Sequence, residues 1–464
     1  MMHFDLLIVG AGPAGMSAAI AARELGLSVL VVDDQPAPGG QIWRSIELTT
    51  ARDNILGPAF VEGRAIAQAF RASGAIYRPT SQLWRIEAGF HAYMTHEGKA
   101  ECVTARAIIL ATGAQERPVP FPGWTLPGVL TVGAAQILLK NAGQIPTQPV
   151  WIAGSGPLPL LYATQLLSAG GRIAGYLDTT PAGRWLQATR HFPGAMRGYR
   201  DLLKGLYWSA RLHASGFPII KRVAEIEALG KDQIQTLRYR TQRGAVKQVP
   251  AELLLVHEGV VPNIHAAMSM DCALKWNAAQ DSYTPVLDDW GESSQANVFI
   301  AGDGAGIGGA KAACLRGELA GLRVAMKLGA VTENAVTRRA HSIRARLHAE
   351  LAVRPFLDAM FRPRKQAFVP PANTIACRCE EVTAGAIRAM ANLGRPGPNQ
   401  VKAATRCGMG PCQGRQCGYT VTRILADAQN RSPEDVGYFH IRPPLKPVTL
   451  KELASLNEIA RSDA

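Results

Sequence analysis

A glycine triad set between an apolar strand and a helix dictates much of what these 464 residues can become. Leu6-Leu7-Ile8-Val9 runs into Gly10-Ala11-Gly12-Pro13-Ala14-Gly15, a helix is predicted from Gly15 to Leu25, and a second strand, Ser28 to Val32, ends in Asp33-Asp34. In such a βαβ unit the first glycine allows the turn, the second lets the backbone approach a pyrophosphate, and the third permits close helix–strand packing. The helix N-terminus then faces the phosphates. An acid about 20 residues further on bonds the ribose hydroxyls, and Asp33 stands there. Strand, turn, helix and acid together point to a nucleotide cradle made by Gly10, Gly12, Pro13, Ala14, Gly15, Asp33 and Asp34.

The motif recurs. Val150-Trp151-Ile152-Ala153 precedes Gly154-Ser155-Gly156-Pro157-Leu158-Pro159, and a strand from Arg172 to Leu177 follows. Gly154 and Gly156 form a second candidate cradle, but Pro159 stands where the third glycine or alanine would sit and crowds the helix start. Asp178 is available to a ribose, and no nearby basic pair marks a 2′-phosphate site. Another nucleotide, or a structural role, is preferred here to a working nicotinamide site. Between the two units, the strand Ala107 to Leu110 ends in Ala111-Thr112-Gly113-Ala114, and a proline-rich crossing runs from Arg117 to Gly128. A late strand enters Ala301-Gly302-Asp303-Gly304 before a helix near Ala310. The length suggests roughly three domains at about 150 residues each. The proline-rich crossing reads as a domain boundary, residues 331–372 as a linker with its own helices, and 373–464 as a small domain with the C-terminal tail.

Of eight cysteines, Cys102, Cys272 and Cys314 are scattered, while Cys377, Cys379, Cys407, Cys412 and Cys417 crowd together. No basic leader precedes Leu6 and no apolar run approaches the ~18 residues of a spanning helix, so a cytoplasmic, reducing setting is expected. There, crowded thiols indicate a metal or cluster site. Cys377-x-Cys379 and Cys407-x4-Cys412 supply four thiolates, which suit a [2Fe–2S] cluster or zinc. A single residue between the first pair, with Gly408, Gly410 and Gly414 offering backbone N–H groups to sulfides, favours iron–sulfur. Pro411 is read as a helix start that puts Cys412 at the positive helix end, and Cys417 as a buried small hydrophobe further along that helix. The net charge is +14, with basic excess between Arg184 and Lys247 and between Arg338 and Lys365. These stretches lack the aromatic interleaving of a single-strand binder; solvated or subunit-docking faces are expected, and no nucleic-acid partner.

The glycine triad, Gly39-Gly40-Gln41, Ala111-Thr112-Gly113 and Ala301-Gly302-Asp303 together resemble the flavoprotein disulfide-reductase-like superfamily over roughly residues 1–330. That resemblance implies FAD, with Gly40, Gln41, Ala111, Thr112, Gly113 and Gly302 around it and Asp303 on its ribityl chain; taken alone, Asp303 would read as a cap ahead of Ala310. His257 and Glu258 are read as a satisfied boundary pair in preference to proton carriers. No cysteine pair accompanies Gly39 to Trp43, so electrons must leave by another route. The cysteine segment looks like a bacterioferritin-associated-ferredoxin type of [2Fe–2S] domain. The whole chain resembles the flavin/iron–sulfur, alpha-type subunit of bacterial heteromeric amino-acid dehydrogenases, among them opine oxidases, D-hydroxyproline dehydrogenase, proline dehydrogenase and hydrogen cyanide synthase. The fold these resemblances imply is α/β: a Rossmann-like flavoprotein with two dinucleotide-binding domains, the FAD domain (residues 1–118 with 285–330) split by the inserted one (119–284), plus the ferredoxin-like domain.

The same resemblance implies that a D-amino-acid-oxidase-like FAD subunit oxidises the amine and that this chain relays the electrons toward a membrane acceptor, at which the complex would be peripheral. It further implies an FMN at a subunit interface, a small ferredoxin-like [2Fe–2S] subunit, and ATP or NAD(P) in the inserted domain. No residue is assigned a catalytic role, since no Ser/His/Asp or paired-carboxylate arrangement suggests hydrolysis. D-hydroxyproline is placed slightly ahead of opines as substrate. The alternatives are a stand-alone NAD(P)H-dependent ferredoxin-type reductase and a non-catalytic redox-sensing module.

Overall fold

The structure, a computed structural model, describes residues 2–48, 50–394 and 396–462, the last six of them (457–462) by backbone alone. Its first sheet has the order 76–78, 29–32, 2–9, 99–110, 91–96, 82–87, with Val298–Ile300 also pairing to Lys99–Leu110. The strand Met2–Val9 lies parallel to both neighbours, Leu6 opposite Val29 and Ala107. Consecutive apolar residues suit a strand covered on both faces, and Leu6, Leu7 and Ile8 are wholly buried.

The two faces of this sheet lead to different places. Leu6 and Ile8 point toward helices Pro13–Glu24 and Ala310–Lys327, sharing a core with Ala14, Ala18, Ala320 and Val324. Those helices nearly touch: a Cβ on Gly317 would lie 2.0 Å from the Ala14 carbonyl oxygen, and one on Gly321 would lie 2.6 Å from that of Ala18. Leu7, Val9 and Ile108 share the opposite core with Cys377, Ile387, Val401, Cys407, Cys417 and Ile424. The cysteine-bearing unit is thus packed on the flank of the sheet that carries the glycine triad. Its helices include Ala384–Ala391, Pro398–Thr405 and Gly418–Gln429.

A second parallel sheet, in the order 219–221, 173–178, 150–154, 254–257, 129–131, is joined by a three-stranded antiparallel sheet over 223–250. The crossing between the units is clamped by Arg117, which donates to the carbonyls of Glu258, Asp281 and Gln280 from a buried position. The 333–351 helix buries Val336, Ala340 and Ile343, one face at helical spacing, against Leu315, Leu319 and Leu322. Residues expected to link two domains therefore also sheathe the first.

Candidate functional site

The glycines divide the labour. Gly10 has φ +107°, and a Cβ there would lie 2.5 Å from the Ala111 carbonyl oxygen; a Cβ on Gly15 would lie 1.8 Å from the Gly10 oxygen. Both serve close backbone packing. Gly12 has room, its nearest foreign atom being Gly40 Cα at 3.7 Å from a Cβ, so what its missing side chain leaves open is the cavity. Pro13 occupies the first helical position and no side chain caps the helix, which leaves backbone N–H donors directed outward. Gly10, Gly12, Pro13, Ala14, Asp33, Asp34, Gly40, Gln41, Ala111, Thr112, Gly113, Gly302 and Asp303 all line one cavity of about 1640 Å³; Gly15 lies behind it.

The acids are engaged. Asp33 accepts from Gln35 N at 2.7 Å and from Ala11 N, which ties the second strand to the glycine loop; burial outweighs these bonds and pushes its carboxyl above the usual value. Asp34 pairs with Lys446 of the C-terminal tail. Asp303 Oδ1 accepts from Gly308 N at 2.8 Å and Gly309 N at 2.9 Å, a loop brace just ahead of helix Ala310–Lys327, while the residue still faces the cavity. Thr112 Oγ1 donates to the Asn263 carbonyl at 3.2 Å.

The second glycine turn stands apart. Gly154 and Gly156 do not line the cavity; Ala153, Pro157 and Leu158 do. Helix Pro157–Ser168 forms despite Pro159, which is buried in its first turn, where a missing N–H breaks no intrahelical bond. Beside it, His257 Nδ1 lies 2.7 Å from Glu116 Oε1, and Glu116 Oε2 accepts from Gly133 N at 2.9 Å. Glu258 Oε1 pairs with Arg364 Nε at 2.9 Å, both side chains 4% exposed. His257 and Glu258 thus pair with other residues and not with one another, and Glu258 Oε2 is buried with no hydrogen-bond partner among the described residues.

Two cavity residues carry no signal in the sequence. Lys140, in the last turn of helix Val132–Ala142, looks like an ordinary exposed cation but is buried, donating to Gln41 O and Gln136 Oε1 at 3.0 Å each. Burial, assisted by the charge of Arg44, lowers its pKa to about 7. His265 is buried with neither ring nitrogen hydrogen-bonded among the described residues. Burial and the nearby Arg415 lower its pKa to about 3. An orphaned pair of ring nitrogens on a cavity wall is a feature a bound ligand would resolve.

The thiols gather close by. Cys377, Cys407 and Cys417 are buried with their sulfur atoms all within 4.8 Å of one another. Cys379 and Cys412 lie within hydrogen-bonding range of each other, and Gly410 gives way to Cys379, whose Cβ would be 2.2 Å from a Cβ at that glycine. The ring of Phe439 covers Gly408 and Gly414. Soft thiolates in a buried set suit a thiophilic metal centre. The helix expected from Pro411 does not form: 411–417 is a turn, because Gln413 (φ +53°) and Gly414 (φ +80°) are left-handed, and the helix begins at Gly418. Cys412 therefore does not sit at a helix N-terminus. Cys417 does, as the residue capping that helix, and it keeps company with two other thiols in addition to being buried. Arg378, Arg415 and Gln416, neighbours of these cysteines, line the same cavity as the glycine triad.

The pyridine nucleotide-disulphide oxidoreductase family model matches residues 4–329, and the sarcosine oxidase A3 domain matches 376–456. The first match spans well over half of the chain, which belongs to the pyridine nucleotide-disulphide oxidoreductase family. Within it, the chain groups with alpha-type subunits of heteromeric amino-acid dehydrogenases. It is 41% identical to the A-type subunit of opine oxidase from Rhizobium meliloti, over 99% of this chain and 89% of that one. It is 42% identical to the corresponding opine oxidase subunit from Agrobacterium tumefaciens (99% and 93%) and 32% identical to hydrogen cyanide synthase subunit HcnB of Pseudomonas protegens (96% and 97%). Among solved structures, L-proline dehydrogenase from P. horikoshii aligns with TM-score 0.70 at 17% identity, over 97% of this chain and 79% of that one. The expected α/β flavoprotein fold and the family resemblance hold. The chain is a subunit of a flavin-dependent amino-acid oxidoreductase. No helix among the described residues is long and apolar enough to cross a membrane.

Proposed function

We propose that this chain is the electron-relay subunit of its complex, passing electrons from a D-amino-acid-oxidase-like FAD subunit, which oxidises an opine, D-hydroxyproline, proline or glycine type of substrate, through an iron–sulfur centre of its own toward a membrane acceptor. The observation that carries the reading is that one cavity is lined both by Gly12, Gly40, Gln41 and Thr112 and by Arg378, Arg415 and Gln416, neighbours of the thiols. At about 1640 Å³ it exceeds the ~300–1,000 Å³ of an ordinary ligand pocket. A bound flavin accepts electrons in pairs and releases them singly, which is the chemistry such a relay needs. Gly10, Gly12, Pro13, Ala14, Gly40, Gln41, Ala111, Thr112 and Gly113 would hold FAD, with Gly302 and Asp303 at the ribityl side and Asp33 and Asp34 toward the ribose. Cys377, Cys379, Cys407 and Cys412 are the proposed ligands of a [2Fe–2S] centre, and Cys417 makes five thiols for four positions. The division at 118/119, 284/285, 330/331 and 372/373 belongs to the same reading, as do an interfacial FMN, a small ferredoxin-like subunit and ATP or NAD(P) in the insert.

The test is anaerobic purification of the complex, with flavin, iron and sulfide assayed, followed by amine-dependent dye reduction. The reading requires iron–sulfur absorbance, flavin, and dye reduction that depends on the partner subunit. Rapid flavin bleaching by NADH in the isolated chain would instead make it a stand-alone reductase, and zinc in the thiol site with no flavin would remove the relay altogether.

A further inference from the structure

The strongest unassigned feature is a row of apolar side chains left largely uncovered among the described residues, only its first member, Phe192, meeting another ring, that of Phe356, edge to face at 6.2 Å. Helices Phe192–Ala195 and Tyr199–Ala214, joined by the single turn Met196–Gly198, carry Phe192, Met196, Tyr199, Leu203 and Leu206 at successive intervals of 4, 3, 4 and 3 residues. That spacing places them along one helical face, which in a self-contained protein would point into a core. Here they are exposed, from 47% at Phe192 to 67% at Leu206. All five also line the cavity, together with Phe356, Leu357 and Met360; being both exposed and cavity-lining, they form part of its rim. Five large apolar side chains, each about half exposed or more, in one row make the kind of contiguous patch that on a monomer is commonly functional.

The charge beside the row is one-sided. Arg190, Arg197, Arg200 and Lys204 are exposed, and Asp201, bonded to Lys204 at 3.0 Å, is the sole acid between positions 184 and 214. We infer that this row is the docking surface for the amine-oxidising partner subunit, which meets it with an apolar face rimmed by carboxylates. The inference rests on the two-subunit reading above. The cations call for an acidic counterpart, and side chains that wall a cavity as well as facing outward present a contour that a shaped protein surface can follow and a planar bilayer cannot. Seated there, the partner closes the cavity against water.

The experiment co-expresses the tagged full-length chain with its amine-oxidising partner and follows co-elution and affinity. The wild-type chain co-elutes. Leu203→Asp with Leu206→Asp weakens the complex roughly thirtyfold or more, the size of a lost hot spot, while the isolated variant keeps its thermal midpoint. As a second variant that leaves the apolar row intact, Arg197→Glu with Arg200→Glu slows association and flattens its salt dependence. Wild-type affinity in both variants overturns the inference. So does flotation of the wild-type chain on phosphatidylglycerol vesicles that the Leu203/Leu206 variant loses while still co-eluting. A wild-type chain that fails to co-elute overturns the two-subunit reading itself.

Discussion

His265 and Tyr438 meet edge to face, ring centroids 6.0 Å apart at 76°, on the path between the cavity and the thiols. His265 lines the cavity, and the Tyr438 hydroxyl lies so near Gly418, the residue after Cys417, that a Cβ there would be 2.1 Å from it. Tyr438 also stacks edgewise on Tyr283, Tyr419 and Phe439. Four polar atoms of this cluster, the two His265 nitrogens and the hydroxyls of Tyr419 and Tyr438, have no hydrogen-bond partner among the described residues. The aromatic block therefore joins the two parts of the site through rigid packing, with polar atoms left over at both ends.

The protonation of His265 gives a pH test. Its folded-state pKa is lowered to about 3 from 6.5, so the unfolded chain binds a proton that the folded chain refuses throughout that interval. Stability from this residue is whole above pH 6.5 and is lost as the pH falls toward 3, at a slope approaching about 1.4 kcal/mol per pH unit. Urea unfolding of His265→Phe between pH 7 and pH 5 should show a shallower decline than the wild type. Equal slopes would mean that the ring is solvated.

Gly12 and Gly15 should separate binding from folding. A methyl group on Gly12 meets nothing nearer than 3.7 Å, and the residue has φ −74°, which any side chain adopts. Gly12→Ala should therefore fold with an unchanged thermal midpoint and lose at least tenfold in flavin affinity, because the methyl occupies space that backbone-to-phosphate approach requires. Gly15→Ala forces a Cβ to within 1.8 Å of the Gly10 oxygen and should fail to accumulate as folded protein. Full flavin content in Gly12→Ala would remove that glycine from the cradle.

The contrast between those two glycines also marks what a sequence can convey. Strand, triad, helix and acid are consecutive, so the βαβ unit and the crowding of the thiols are legible. Legibility ends where one residue's conformation decides the outcome: left-handed Gln413 and Gly414 turn the chain after Pro411 and deliver Cys417 to the other thiols. It ends again where distant segments assemble a group. Lys140 draws its partners from its own helix and from Gln41, and Arg364 reaches Glu258 across 106 positions; no local pattern encodes either.

Lys140 should respond to pH in the opposite range. Its folded pKa of about 7 lies below the unfolded value of 10.5, so between those limits the unfolded chain holds the extra proton. Stability then rises as the pH increases from 7 toward 10.5 and is flat below 7. Lys140→Met should abolish that rise in denaturant unfolding compared at pH 7 and pH 9.5. A rise that survives the substitution would assign it to another group.

Arg364 and Glu258 form a pair whose removal should be costly. Both side chains are 4% exposed, and Arg364 also donates to the Ala224 carbonyl. Arg364→Leu leaves the Glu258 carboxylate buried without its cation and should destabilise the chain by about 3–5 kcal/mol, read as a lower urea midpoint at unchanged slope.

The five thiols allow the sharpest test, because a [2Fe–2S] centre takes four. Cys377 and Cys379 belong to one pair, and Cys412 lies five positions from both Cys407 and Cys417, so either could complete a Cys-x4-Cys pair. Both stand within 4.8 Å of Cys377 at their sulfur atoms. Cys417 has a helix N-terminus in its favour, whereas Cys407 belongs to the proposed ligand set. Single replacement by serine should abolish the visible absorbance and the reduced-state electron paramagnetic signal at Cys377, Cys379 and Cys412, and at one of Cys407 and Cys417 but not the other. Loss at Cys407 upholds the proposed set, and loss at Cys417 transfers the fourth position to the helix cap. Retention in both, or retention at Cys377, would show that these thiols do not hold the centre.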